Sequence, residues 1–192
     1  MPFPAIAPIA GCEMATARAG FYKHERDDLL ILHFPEGASC AGVFTRHKIG
    51  SAPVDWCKRH LDADDGGMEV RALVVNAGCA NAFTGKPGAD AARRTASEVA
   101  KRFGCRQRDV MLASIAKGSG MIAPDMATML AFIVTDADIH PNVLRAMLGL
   151  HVRTTFNSVT VDGDTSTNDT CLIFATGQSG APRIGRVGDR RL

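Results

Sequence analysis

The chain has 192 residues, with 22 Lys and Arg against 20 Asp and Glu, a formal charge of +2. That is one domain's worth of sequence, long enough to bury a core without disulfide or metal staples. Apolar residues make up 46% and charged residues 22%, which excludes wholesale disorder, and so small a net charge gives no reason to expect nucleic acid.

The N-terminus, MPFPAIAPIAG, carries three prolines and no basic segment, so it does not read as a secretory signal. Short apolar, β-branched runs predict strands at Leu29–Phe34, Ala41–Thr45, Ala72–Asn76, Val110–Ala113, Leu130–Thr135, Ser158–Val161 and Cys171–Ala175. A helix is predicted over Pro53–Leu61, opened by Ser51, and another over Ala89–Phe103. In the second, Ala92, Ala96, Val99 and Phe103 recur at helical spacing and Gly104 provides the stop. A third runs from Pro141 to about Leu150, with Asp138 as its opening signal. Strands mixed with helices imply a layered α/β (α+β) sandwich with mixed β-sheets. The Gly- and Arg-rich stretch Gly177–Leu192 reads as a loop or loose tail. It holds Arg183, Arg186, Arg190 and Arg191 against Asp189, so the chain's basicity belongs to this segment.

No apolar run approaches the ~20 residues that cross a bilayer; the longest is Met126–Val134. Six cysteines stand at 12, 40, 57, 79, 105 and 171 with no CxxC pair, which fits reduced structural thiols in the cytoplasm. The six histidines are scattered outside any metal-ligand motif and read as packing or surface groups. No metal and no membrane partner is expected.

Three segments carry candidate chemistry. Phe83-Thr84-Gly85-Lys86-Pro87-Gly88 resembles part of a phosphate loop, but Pro87 stands where a Walker loop needs Ser or Thr, so it reads as tight turns. Asp162–Asp169 invites a calcium reading. Counting from Asp162, Thr167 and Ile173 occupy the places where an EF-hand needs Gly and Glu, which excludes that loop. Its density of hydroxyl and amide groups exceeds what a turn needs, so it is expected to line a site. Asn76, Asn81 and Asp164 read as turn and strand-end hydrogen bonders, with a substrate contact left open.

The third segment is Ile115–Leu130, IAKGSGMIAPDMATML. Thr128 lies in an otherwise apolar stretch, where a Thr is ordinarily a half-buried strand residue. A Thr hydroxyl can also attack the carbonyl before it, moving the acyl group from nitrogen to oxygen. Hydrolysis of the ester would leave a chain that begins at Thr128. Its α-amine, with a reference pKa of ~7.7–8.0, could serve as base for its own hydroxyl. Spacing alone does not choose between the two readings.

IAKGSGMIAPDMATMLAFIVTDA resembles the self-cleavage region of the glutamate N-acetyltransferase (ornithine acetyltransferase) family of arginine biosynthesis. IAGCEMATARAGFYKHERDD and the residues after it resemble the family's N-terminal portion. ALVVNAGCANAFTGKPGADAARRTA resembles its signature around TGK, and TFNSVTVDGDTSTNDT the early part of its second chain. The resemblance covers most of residues 8 to 180. It implies cleavage between Ala127 and Thr128. Residues 1–127 would form an α-chain region and 128–192 the start of a β-chain region. The two would stay together, as a heterotetramer of two α and two β chains in intact members. It further implies acetyl transfer from N-acetylornithine to glutamate by a ping-pong route through an acetyl ester on Thr128. Lys117 would be a substrate-binding lysine. No cofactor is expected to be bound, and acetyl-CoA is an alternative donor in some members.

The chain departs from the family pattern in two places. In the family, the strand resembling Val110–Ser114 leads into a Thr-Gly-Val-Ile-Gly segment, and several dozen residues precede IAKGSGM. Here Ser114 runs directly into Ile115, which omits the segment that supplies the family's oxyanion hole. The β-chain region also stops early beside the family's. Losing one oxyanion donor can cost ~10²–10³ in rate. The expectation is therefore weak transfer or none, and impaired self-cleavage. Two other readings stand beside it: an aminopeptidase-like hydrolase with an N-terminal nucleophile, and a non-catalytic remnant of the family.

Overall fold

A computed structural model describes residues 7–23, 25–62, 69–116, 129–158 and 166–192. The elements in chain order are β1 (Glu13–Ala17), β2 (Leu29–Phe44), α1 (Ala52–Asp62), β3 (Glu69–Ala77), α2 (Gly85–Phe103), β4 (Val110–Ile115), β5 (Leu130–Thr135), α3 (Pro141–His151) and β6 (Thr170–Ala175). They build one mixed sheet in the order β4-β3-β2-β6-β5, with β1 beside the first half of β2. β3–β4 and β5–β6 are parallel; the pairs that involve β2 are antiparallel.

The long strand β2 joins two runs that the sequence separates. Pro35-Glu36-Gly37 is a bulge within it, not a turn: the β2–β3 register shifts between His33 and Ala38, and Gly37 has φ of +86°. Pro offers no ladder N–H and Gly reaches positive φ without strain, so the strand kinks and continues. Its first half pairs with β1 and its second with β6, along the same edge. β1 is exposed along its whole length, so no hydrophobic alternation announces it; pairing with β2 creates it. The strand expected over Ser158–Val161 is not there at its described end, because Phe156–Ser158 is a 3-10 turn; residues 159–161 lie outside the described residues.

α2 begins four residues before its expected start, so Gly85-Lys86-Pro87-Gly88 is a first helical turn and not a loop. Pro is compatible there, since a first-turn N–H has no helical acceptor. The helix lays Ala92, Ala96 and Ala100 on the core and ends at Gly104 in a left-handed conformation (φ +64°), as the sequence indicates. α1 packs against β4. Trp56 Nε1 donates to Val110 O at 2.9 Å, and the Cys57 thiol donates to Leu112 O at 3.1 Å, so the helix covers backbone groups of this outer strand. Neither expected helix-opening side chain acts as a cap. Ser51 Oγ is buried without a partner among the described residues, and the α3 cap is His140, whose Nδ1 accepts from Asn142 N at 3.2 Å.

The main core gathers Phe34, Leu73, Met111, Leu172 and Phe174, all with no exposed surface, beneath α1 and α2. Ala41, Ile173 and Ala175 alternate with Cys40, Leu172 and Phe174 along their strands and pack instead with Val143 and Leu144 of α3. α3 therefore lies on the opposite face of the β2–β6 pair. The layered α/β expectation matches this architecture.

The C-terminal stretch is a loop, as expected, but not a loose tail. Ile184 is buried and bridges Ile139; Ile184 N donates to Asp138 O at 2.8 Å, and His140 N donates to Ile184 O at 3.0 Å. Arg191 ion-pairs with Asp189 at 2.6 Å and donates to the carbonyls of Pro182 and Arg183. Part of the segment's positive charge is therefore engaged within it. Among the described residues no helix is long and apolar enough to cross a membrane.

Candidate functional site

Residues 166–170 form a buried polar hub at the entrance to β6. Ser166, Asn168, Asp169 and Thr170 are each at most 4% exposed. Asn168 Nδ2 reaches Ala80 O and Ser114 O, both at 2.8 Å, and its Oδ1 accepts from Thr167 Oγ1. Ser51 N donates to Thr167 O at 3.0 Å, and the Thr45 hydroxyl donates to Ser166 O. The three residues Ser166, Thr167 and Asn168 thus tie together the ends of β2 and β4, the entry to α1 and the loop before α2. Buried polar groups need such partners, and the expected polar density of this loop finds them here.

The hub also holds the start of β5. Met129 N donates to Asp169 Oδ1 at 3.0 Å, and Thr170 N donates to Met129 O at 2.9 Å. Asp169 has no exposed surface, and its other oxygen, Oδ2, is buried without a partner among the described residues. Burial pushes its pKa up to about 7, against the opposing effect of the Met129 amide. Near neutral pH this carboxyl can hold or release a proton.

Thr128, Ala127 and Lys117 lie outside the described residues, as does Asp164. The flanks of that segment are described. Ser114, three residues before Lys117, is fastened to Asn168; Met129, one peptide bond after Thr128, is fastened to Asp169. The two segments that the sequence singles out separately, 115–130 and 162–169, therefore meet at residues 168 and 169.

Asn76 and Asn81 have local roles. Asn76 Nδ2 donates to Cys79 O at 2.9 Å, and Asn81 Nδ2 donates to Gly88 O at 3.0 Å while its Oδ1 accepts from Thr84 Oγ1 at 2.7 Å. A Cβ on Gly88 would sit 1.9 Å from Thr84 Oγ1, so this knot requires glycine. The sequence names Asn168 and Asp169 only within the polar run 162–169 and Thr45 only as a strand end, with no role of their own. An acid two residues before the apolar run Cys171–Ala175 is the available signal for Asp169.

The sequence matches the ArgJ family model over residues 13–115 and 107–187. The chain belongs to the ArgJ family. It is 56% identical, over an alignment of 253 residues, to the arginine biosynthesis bifunctional protein ArgJ of Caulobacter vibrioides, covering 100% of this chain and 62% of that protein. It is 41% identical to the protein of the same name from Nitrobacter winogradskyi, covering 98% of this chain and 61% of that one. The chain spans about three fifths of the length of these curated relatives. Among solved structures it is similar to the bifunctional ArgJ protein of Bacillus halodurans (TM-score 0.52, 28% identity, covering 58% of this chain and 56% of that one). It is also similar to the ornithine acetyltransferase of Mycobacterium tuberculosis complexed with ornithine (TM-score 0.51, 27% identity, covering 58% of this chain and 59% of that one).

The alignment to the Caulobacter protein runs over 253 residues against 192 in this chain, so positions of that relative have no counterpart within it. The family match also falls into two segments that meet at residues 107–115. Both agree with family positions that are absent from within this chain.

Proposed function

We propose that this chain carries the acyl-transfer centre of an arginine-biosynthetic acetyltransferase, with Thr128 as the nucleophile. In the processing step, Thr128 Oγ1 attacks the Ala127 carbonyl carbon and the peptide nitrogen becomes the free α-amine. Water then hydrolyses the ester, releasing the Ala127 carboxylate. In the transfer, the α-amine accepts the hydroxyl proton while Oγ1 attacks the acetyl carbonyl of N-acetylornithine; ornithine leaves as the protonated amine. The amine of glutamate then attacks the acetyl-threonine ester and frees the hydroxyl. The covalent ester splits one hard transfer into two easier ones. Lys117, a cation, suits a substrate carboxylate.

The observation that carries this reading is the meeting of both flanks of the 117–128 segment at residues 168 and 169. In it, Asp169 is a positioning residue. It fixes the Met129 amide, which is bonded to the Thr128 carbonyl carbon, and so limits the freedom of the nucleophile's own residue. Reaction geometry held in advance is worth several kcal/mol of barrier.

The chain lacks the family segment after Ser114, where the resemblance places the oxyanion donors. Transfer by this chain alone is therefore expected at least ~10²-fold below that of the Caulobacter relative. Assay of glutamate-dependent deacetylation of N-acetylornithine in both proteins tests this. Rates within a few-fold of each other would contradict it, as would activity that persists in Thr128→Ala. Cleavage of N-acetylornithine indifferent to glutamate would favour the hydrolase reading.

A further inference from the structure

A cavity of about 560 Å³ opens between the end of β2, the C-terminal turn of α1, and α3 with the 3-10 turn Val152–Thr154. Its size falls within the ~300–1,000 Å³ of small-molecule sites. Leu61 and Val152 give it an apolar wall. Arg46, Lys58, Arg145 and Arg153 line it, with Asp62 as the one acid in its lining. Among the described residues, no carboxylate forms an ion pair with Lys58, Arg145 or Arg153.

We propose that this cavity is a binding site for a phosphate-bearing ligand. Lys58 donates to Thr45 O at 3.1 Å and Arg145 Nη2 to Leu61 O at 3.0 Å. Each is thereby steered toward the cavity by one hydrogen bond and keeps N–H groups that no described residue accepts. An ammonium has three donors and a guanidinium five. Like charges gathered on one concave wall repel one another, and a multiply charged anion relieves that repulsion. The guanidinium fork matches two phosphate oxygens at once. Asn157 also lines the cavity, and its buried Oδ1 has no partner among the described residues.

The site is linked to the hub. Lys58 holds the carbonyl of Thr45, and the Thr45 amide donates to Asp169 O at 2.9 Å. The proposal nevertheless stands apart from acetyl transfer, because it concerns binding and is read without turnover.

The test is calorimetric titration of the full chain at low ionic strength with inorganic pyrophosphate, inorganic phosphate and glutamate. The expected result is saturable binding of one pyrophosphate per chain, tighter than phosphate and tighter than glutamate. Arg153→Ala should weaken it about tenfold, the size of one charge-assisted hydrogen bond. Arg153 makes no hydrogen bond with a described residue, so this variant should melt like the parent. Arg93→Ala, on the outer side of α2 and paired with Asp90, should bind like the parent. Absence of saturable pyrophosphate binding would overturn the proposal. So would glutamate binding as tightly as pyrophosphate, or pyrophosphate binding unchanged in Arg153→Ala.

Discussion

The backbone amide of Met129 donates to Asp169 Oδ1 at 3.0 Å, while the other oxygen of the same carboxyl is buried and unpartnered among the described residues. An aspartate that needed only to pin a strand would be expected to satisfy both oxygens or leave one in water. Here a group with a pKa pushed up to about 7 by burial holds the amide of the residue that follows Thr128 in the sequence. A near-neutral carboxyl at such a place is a common property of functional sites.

That carboxyl sets a pH dependence with a definite sign. Its folded pKa of about 7 lies above the ordinary 3.8, so between those values the folded state binds more protons than the unfolded state. Its contribution to stability is full below about pH 4 and is lost as pH rises toward 7. Asp169→Asn removes the ionisation and keeps an oxygen to accept from Met129 N. Thermal melts from pH 4 to 8 should show the variant gaining on the parent as pH rises, by on the order of 2–4 kcal/mol, the lower value allowing for solvent screening. Parallel melting curves for the two proteins across that range would contradict the assignment.

Asn168 is the mechanical centre of the hub. Asn168→Ala leaves Ala80 O and Ser114 O without their donor and removes the tie between β4 and β6. Buried unsatisfied carbonyls make this costly, about 2–4 kcal/mol in urea unfolding at neutral pH. A loss below about 0.5 kcal/mol would mean that the network is dispensable.

The thiols should divide by burial. Cys57 and Cys171 are pushed by burial up to about 12 and about 11, and Cys40 is raised well above its ordinary value, also by burial. Cys79 is exposed. Only thiolates attack disulfides readily. At pH 8 a chromogenic disulfide reagent should therefore modify Cys79 rapidly and reach Cys40, Cys57 and Cys171 only after denaturant. Rapid modification of all six in the folded protein would refute the packing described for α1 and β6.

Asp28 should act in the opposite direction to Asp169. Burial alone would raise its pKa, but the backbone amides of Ala19, Phe21 and Tyr22 donate to its carboxylate and hold it below the ordinary value. Its contribution is present above the ordinary carboxylate pKa and is lost as pH falls through the lowered one. Asp28→Asn should destabilise the chain at neutral pH, with the difference from the parent shrinking in acid. An equal difference at pH 7 and pH 3 would contradict this.

Much of the fold was legible because its local signals agree with its packing. Ala92, Ala96, Val99 and Phe103 with Gly104 announced α2, and the β-branched runs announced β3, β5 and β6. The misreadings share one cause, tertiary context. Pro35 and Gly37 look like a turn until β3 and β6 carry the strand past them. Glu13–Ala17 has no apolar face and exists as a strand only through β2. Ile184 looked like part of a loose tail because its partner, Ile139, is distant in sequence. At the site, the polar density of 162–169 was visible, but not its target. That Asn168 would reach Ser114, and Asp169 reach Met129, depends on long-range closure that no local pattern encodes.

The central claim is that Thr128 is the nucleophile and that the segment absent after Ser114 limits it. The most direct measurement is intact mass of this chain with the corresponding Caulobacter segment inserted between Ser114 and Ile115, beside the same protein carrying Thr128→Ala. The account predicts fragments that end at Ala127 and begin at Thr128, formed faster than in the parent chain and absent from the variant. Cleavage at another bond, or fragments that persist in Thr128→Ala, would contradict it.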